Sequence, residues 1–228
     1  MDQSEQIAAL KREFDQKIAA LTASKALTPH TSPVDITIGL IAHNDWLSLP
    51  SVLSAFGAQG EYVDVLLATD STSTDPSKEV LEGFARWASG SLQLRSCRYI
   101  GEIPHKDPPD QTVAHALAKF ATEAKTEFMW YNDADVLLPP LTLAKVKAQM
   151  VDGVGAVCVP YTYKSDHLEW GAMMMRRKVA EDVGFDGRGR CGCVNIAAAL
   201  DAAGLKMVEA KDCVAYHLKY KVTMIGGA

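Results

Sequence analysis

Two aspartates one residue apart, Asp133 and Asp135, follow the apolar and aromatic run Phe128-Met129-Trp130-Tyr131-Asn132 and precede Val136-Leu137-Leu138-Pro139-Pro140. The run has strand character, and the prolines, which lack an amide donor, forbid its continuation. The carboxylates therefore stand at a strand's C-terminal end. At that edge of an open α/β sheet ligands bind, and closely spaced aspartates there can share a hard divalent cation with the phosphates of a substrate. The same residues also suit a polar turn whose side chains cap backbone N–H groups, and an Asp-x-Asp alone does not decide between the two.

The elements that position this pair are readable from periodicity. Ile36 to Ala42 is nearly continuous apolar sequence, as in a central parallel strand covered on both faces, and it ends in His43-Asn44-Asp45. A helix from about 48 to 59 follows. Val63 to Ala68 is a second buried strand, running into the polar stretch from Thr69 and Asp70 to Asp75-Pro76; Asp75 suits an N-cap and Pro76 a first helical turn, for a helix to about 88. A third strand spans 92–99, a proline-containing loop 101–110, and a helix about 112–123. Beyond Pro140 come a helix to about 151, a strand over 154–163, a loop at 164–167, a strand over 170–175, a short helix over 176–183, a helix over 194–203, and short strands ending at Tyr216-His217. The first half alternates strand and helix, which implies a parallel sheet, and the second half is mixed.

Ahead of this domain, Ile7, Leu10, Phe14, Ile18 and Leu21 recur at spacings of three and four, giving an amphipathic helix over 4–23. It packs on its own domain or pairs with a copy of itself, so a homo-oligomer through this helix is one expectation. A linker through Pro29 and Pro33 separates it, which divides the chain into residues 1–33 and 34–228.

At 228 residues, 48% of them hydrophobic and 22% charged, the chain has the composition of a globular domain with one sizeable core. A net charge of −5 argues against nucleic acid as the main partner. Five cysteines without a small-scaffold spacing fit a reduced, cytoplasmic protein. No apolar run reaches the roughly 18 residues of a membrane span, and the polar N-terminus is unlike a signal peptide, so the expectation is a soluble protein. Cys191-Gly192-Cys193, with Cys213 and His217 further on, falls short of a structural zinc site: the spacing is short and a second cysteine pair is missing.

Taken in order, Ile36 to Asn44, Asp70-Ser71-Thr72-Ser73-Thr74-Asp75, Asp133-Ala134-Asp135, Gly171-Ala172 before Arg176, Phe185-Asp186 and His217 make the chain from Val34 to His217 resemble the family 2-like glycosyltransferases of the GT-A fold. The resemblance implies an α/β fold with a Rossmann-like, mostly parallel sheet flanked by helices and a mixed C-terminal half. It also implies transfer of a sugar from a nucleotide-diphosphate sugar, a UDP-sugar above all, to a hydroxyl-bearing acceptor with Mn²⁺ or Mg²⁺.

By that resemblance Asp135 is the main metal ligand, Asp133 contacts the ribose or the metal through water, and His217 completes the metal sphere. Asp70 accepts a hydrogen bond from the base, and the main chain of Ala42, His43 and Asn44 lines the base pocket. Gly171 lets the backbone approach the sugar or acceptor closely, or else serves tight strand packing. Arg176 and Arg177 either face phosphate or form a solvated face, and Trp130 and Tyr131 read as core. Relatives carry an Arg-Asn pair on the helix that here holds Gln111 and His115, which departs from the pattern.

A second departure concerns the catalytic base. The Glu-Asp pair of inverting relatives falls here on Gly192-Cys193, and a thiol with an ordinary pKa near ~8.5 is mostly protonated at neutrality. Asp166 and Glu169, which flank the loop before Gly171, are the candidate carboxylates in its place; retention of configuration, or lost activity, are the other readings. Two rivals of other kinds remain. A nucleotidyltransferase shares the sheet, but Ala42-His43-Asn44-Asp45-Trp46 contains no glycine-rich phosphate loop. A nucleotide- or carbohydrate-binding module would keep the fold without turnover.

Overall fold

The computed structural model describes residues 36–59, 62–88, 94–162, 167–183 and 192–218. The expected N-terminal helix and its linker, Asp166, Phe185-Asp186 and Cys191 lie outside these residues. No helix among the described residues is long and apolar enough to cross a membrane.

The strands are β1 (Ile36–Ala42), β2 (Val63–Asp70), β3 (Leu94–Ile103), β4 (Phe128–Asp133), β5 (Val136–Leu137), β6 (Val154–Cys158), β7 (Ala172–Arg176), β8 (Lys206–Glu209) and β9 (Tyr216–His217). The helices are α1 (Leu49–Phe56), α2 (Ser77–Ala88), α3 (Asp110–Glu123), α4 (Thr142–Lys147), α5 (Arg177–Val183) and α6 (Gly192–Ala202). Seven strands form one sheet in the order β3-β2-β1-β4-β7-β6-β8, and β5 pairs with β9 in a separate ribbon. In the seven-stranded sheet, among the described residues, only β7 runs against its neighbours. This is the GT-A arrangement: a mostly parallel sheet, flanked by helices, with its irregularity in the second half.

Every residue of β1 is buried, as its unbroken apolar sequence requires of a strand with a layer on each face. On one face, Ile36, Ile38 and Leu40 pack with Leu49, Val52 and Phe56 of α1 and Leu81 of α2. On the other, Ile41 and Leu66 join Leu117 and Phe120 of α3 and Ile196 and Leu200 of α6. Each such side chain, taken fully out of water, contributes about 1.5–3 kcal/mol, so the sheet's position between the two layers is strongly fixed.

Two strand ends differ from the sequence expectation by four residues or more. β3 continues to Ile103, because the ladder with β2 passes an irregularity between Leu67 and Thr69 and is carried through Gly101, whose φ is +98°. A glycine that reads as a breaker here bends the strand without ending it. β6 stops at Cys158 rather than reaching 163, since Pro160 has no amide to continue the ladder.

Candidate active site at the strand ends

The register of the parallel strands assembles the site. Ala42 stands opposite Thr69, and Ile41 opposite both Ala68 and Asp133, so β2 and β4 each end within a residue of the end of β1, at one edge of the sheet. Asp70 is the last residue of β2 and Asp133 the last of β4.

The turn carrying Asp133 and Asp135 is shaped from beneath by Asn132, which is fully buried. Its Nδ2 donates to the carbonyls of Asp133 and Val136, each at 2.8 Å, while its Oδ1 accepts from Trp130 Nε1 at 3.0 Å. Trp130 and Tyr131 are core residues, as their sequence context suggests. β9 then pairs Val136 with His217, and the Leu218 amide donates to the Asp135 carbonyl at 2.7 Å. This brings the His217 Nε2 within 2.7 Å of Asp135 Oδ2, across 82 residues of sequence.

Asp133 meets the β7 side of the site. Its carboxylate lies against Gly171 and Tyr161, and its amide donates to the Gly171 carbonyl at 2.8 Å. Burial, with Asp135 and Asp45 nearby, pushes its carboxyl up to about 7. The fully buried Tyr131 hydroxyl approaches this carboxyl without completing a well-formed hydrogen bond. Asp133, Asp135 and His217 thus share one edge, but the donor atoms of all three do not converge within 4.8 Å. Asp135 and His217 form the close pair.

Asp45 is a third carboxylate of this group, and sequence reading passed over it. Burial pushes it up to about 6, and Asp135 and Asp75 add to the effect. The available signal was an acidic residue directly after the strand-end Asn44. Carboxyls held above their ordinary range by burial, and further by one another, are suited to sharing a cation, which would relieve both effects. The donor set of carboxylates and one imidazole fits a divalent cation such as Mn²⁺ or Mg²⁺. In the structure the two donors, Asp135 Oδ2 and His217 Nε2, are hydrogen-bonded directly to each other.

The loops after β1 and β2 are stitched together. Asn44, with φ +60°, donates its amide to Ser73 Oγ at 3.0 Å and accepts from the Thr74 amide at 2.8 Å through Oδ1. The Asp45 amide reaches Ser77 Oγ and the Trp46 amide reaches Asp75 Oδ2, both at 3.0 Å, while the His43 amide donates to Asp45 Oδ2 at 2.9 Å. Asp75 also takes the Ser77 amide, the cap read from the sequence. The main-chain donors of His43 and Asn44 are therefore engaged within the protein.

Asp70, 5% exposed, accepts from the Thr72 amide and hydroxyl through Oδ1 and meets His105 Nδ1 through Oδ2 at 2.7 Å. Burial by itself would raise its pKa, yet these hydrogen bonds outweigh it and hold the carboxyl below the usual range.

On the other side of Asp133, the segment before β7 brings Glu169 beside α6. The Cys193 thiol donates to Glu169 Oε2 at 3.5 Å, and His167 Nε2 stands 3.8 Å from the same oxygen. The approach depends on Gly192, where a Cβ would meet Trp170 at 2.2 Å. The Trp170 ring in turn packs on Tyr131, with centroids 6.1 Å apart. His167, Glu169 and Cys193 have donor atoms within 4.8 Å of one another, whereas Cys193 does not group with Cys213 and His217 as the zinc reading required.

Arg176 and Arg177 are not in the site. The antiparallel register sets Arg176 opposite Phe128, at the far end of β4 from Asp133. Arg176 pairs with Glu127 and lies over the Phe128 ring, and Arg177 pairs with Glu181. In α3, the buried His115 Nδ1 has no hydrogen-bond partner among the described residues.

Residues 37–197 match the model of the family described as Glycosyl transferase family 2. No curated protein sequence matches the chain. Among solved structures, the mannosyltransferase PcManGT from Pyrobaculum calidifontis, in complex with GDP-Man and Mn²⁺, is similar with a TM-score of 0.68 at 20% identity, over 95% of this chain and 68% of that one. S. aureus TarS is similar with a TM-score of 0.61 at 13% identity, over 80% of this chain and 36% of that one. TarS 1-349 in complex with UDP gives a TM-score of 0.59 at 13% identity, over 80% and 60%. The chain thus spans about a third of TarS. At these identities the likeness is one of fold.

Proposed function

The chain belongs to glycosyl transferase family 2, and from that membership we propose that it moves a hexosyl or related sugar from a nucleotide-diphosphate sugar, a UDP-sugar in the first instance, to a hydroxyl group of an acceptor, with Mn²⁺ or Mg²⁺ as cofactor. The observation that carries this reading is the Asp135–His217 pair at 2.7 Å on the strand-end edge that also holds Asp133, Asp45 and Asp70. The similar structures in complex with GDP-Man and Mn²⁺, and with UDP, support a nucleoside diphosphate carrier and a divalent cation.

Asp135 and His217 would hold the cation, with Asp133 reaching it through water or binding the ribose. Bound there, the cation would neutralise the charge that develops on the departing diphosphate. Gly171, whose Cβ would strike Asp133, keeps that carboxylate in place and leaves the backbone open toward the sugar.

Glu169 is the general base of this reading. The acceptor oxygen forms a bond to the anomeric carbon as the bond to the diphosphate breaks, and the hydroxyl proton passes to Glu169. Its support is the contact with Cys193, the position at which the family's Asp was expected: the two side chains meet, so a carboxylate on the β7 side stands beside the one missing from α6.

The test is incubation with UDP-, GDP- and TDP-sugars and Mn²⁺, with and without a chelator. Slow release of nucleoside diphosphate that the chelator abolishes is the expected result. Pyrophosphate release from nucleoside triphosphates would favour the nucleotidyltransferase reading, and nucleotide binding without turnover of any donor would favour a binding module.

A further inference from the structure

We propose that His167, Glu169 and Cys193 form a second metal site, for a thiophilic divalent cation of the Zn²⁺ type, separate from the Asp135–His217 pair. Their donor atoms all lie within 4.8 Å of one another, the one such grouping of three His, Cys, Asp or Glu side chains among the described residues. Cys193 thus finds zinc partners other than the Cys213 and His217 that its sequence suggested. The imidazole and the carboxylate come instead from the segment before β7.

Glu169 Oε2 is the common point of the trio, 3.5 Å from Cys193 Sγ and 3.8 Å from His167 Nε2. A tetrahedral zinc, with Zn–S about 2.3 Å and Zn–N and Zn–O about 2.0–2.1 Å, sets its ligand atoms about 3.3–3.6 Å apart. The sulfur–oxygen edge already has that length. The imidazole edge is slightly longer, beyond hydrogen-bond reach of that oxygen, so an ion between the two gives each a bond that they do not make to one another. The frame around them is held. The Gly192 amide donates to Asp110 Oδ2 at 2.7 Å, which ties the start of α6 to α3, and Trp170 packs against Gly192 directly after Glu169. Cys193 is 2% exposed, against 31% and 24% for the side chains of His167 and Glu169. The thiol is therefore the floor of the site, and the other two open toward solvent.

The donor types choose the ion. A thiolate is a soft ligand that Mg²⁺ and Mn²⁺ take poorly, whereas Zn²⁺ takes sulfur, imidazole and carboxylate alike. On binding, the Cys193 thiol gives its proton to solvent, and a sulfur–metal bond replaces the S–H bond. Three protein ligands leave a fourth position for water, as in an open zinc site rather than a closed structural one. The consequence rests on the reading of Glu169 as general base. An ion on that carboxylate occupies the lone pair that takes the acceptor's proton, so the filled site inhibits transfer. Zn²⁺ and Mn²⁺ then act on turnover in opposite directions.

The experiment is titration of the full chain with Co²⁺, a spectroscopic stand-in for Zn²⁺. Its bond to a thiolate adds a sulfur-to-metal charge-transfer absorption that oxygen and nitrogen ligands alone do not give. Wild type should gain that absorption and lose it again to Zn²⁺, and Asp135→Ala should do the same. Cys193→Ser should lack it, and Cys213→Ala should keep it. His167→Ala and Glu169→Gln should weaken binding by at least the ~10–100-fold that losing even an outer partner of a metal site costs. In Mn²⁺-dependent donor turnover, Zn²⁺ should inhibit wild type. Cys193→Ser, measured against its own rate without Zn²⁺, should need about tenfold more Zn²⁺ or beyond for the same inhibition. A wild type without the absorption overturns the site, as does absorption that persists in Cys193→Ser or an affinity untouched in His167→Ala. Zn²⁺ bound at Cys193 without loss of turnover overturns the inhibition. A chain that shows the absorption but turns over no donor keeps the site and counts against the donor reading.

Discussion

A Cβ at Gly171 would lie 2.0 Å from Asp133 Oδ2 and 2.2 Å from Tyr161 Oη. Both atoms end side chains, but that of Asp133 is short and its backbone is held, because Asp133 ends β4 and its amide donates to the Gly171 carbonyl. Gly171→Ala must therefore move the carboxylate. It is expected to fold with a loss of about 1–3 kcal/mol, the usual cost of overpacking, and to weaken Mn²⁺-dependent UDP binding about tenfold or more. Gly192→Ala meets Trp170 instead and should leave that binding unchanged. Equal effects of the two variants on nucleotide affinity would refute the separation of the two regions.

Asp135 and His217 meet at 2.7 Å through the short β5–β9 ribbon at the sheet's edge. Removing either side chain takes a donor from the proposed cation site without opening the main core. Asp135→Ala and His217→Ala should each keep the fold and lose Mn²⁺-dependent nucleotide affinity, the aspartate variant more severely because it removes charge as well as a ligand. Undiminished Mn²⁺-dependent UDP affinity in Asp135→Ala would refute its assignment.

The raised carboxyls make stability depend on pH in a definite direction. Asp133 titrates at about 7 in the folded chain and Asp45 at about 6, against 3.8 for the ordinary group. The folded state thus holds more protons than the unfolded one between about pH 4 and 7, and stability falls as pH rises through that window. Metal-free Asp133→Asn is freed of the larger part of this penalty. Relative to wild type it should gain on the order of 2 kcal/mol between pH 5 and pH 8, or about 4–8 °C in melting temperature. Mn²⁺ should stabilise wild type more at pH 8 than at pH 5, since the ligands must shed protons to bind it. A variant whose melting curve tracks wild type at both pH values would contradict a buried, crowded carboxyl at 133.

The strand ends were legible in the sequence because burial on both faces leaves an unbroken apolar run, and the polar residues that follow mark where the layers stop. That logic located β1, Asp70, Asp133 and Asp135. It could not locate His105, which reaches Asp70 across 35 residues from a proline-containing loop. Nor could it give Asp45 its place, since that depends on Asp75 and Ser77 drawing the β1 loop onto the β2 loop. The reason for Gly171 was equally hidden: no periodicity shows that a neighbouring strand ends in a carboxylate lying against it. Arg176 was ambiguous for a related reason, because only the antiparallel register of β7 sends it to the opposite end of β4.

The last prediction concerns Glu169 and Cys193, whose carboxylate and thiol meet at 3.5 Å. If the base has moved from the α6 position to the β7 side, the reaction inverts the anomeric centre and Glu169→Gln removes the proton acceptor without touching the cation ligands. Turnover should fall about 10²–10⁴-fold, with Mn²⁺-dependent nucleotide affinity unchanged. Cys193→Ser should stay within a fewfold of wild type. Because the two side chains touch, Cys193→Asp in the Glu169→Gln background returns a carboxylate to nearly the same point, and part of the lost rate should return with it. Asp166→Asn serves as the comparison for the other candidate carboxylate. Proton NMR of the earliest product reads the configuration directly. An inverted product with full activity in Glu169→Gln would refute this base, and a loss confined to Asp166→Asn would transfer the role there. A loss confined to Cys193→Ser would give it to the thiol. A retained configuration would remove the need for the base altogether.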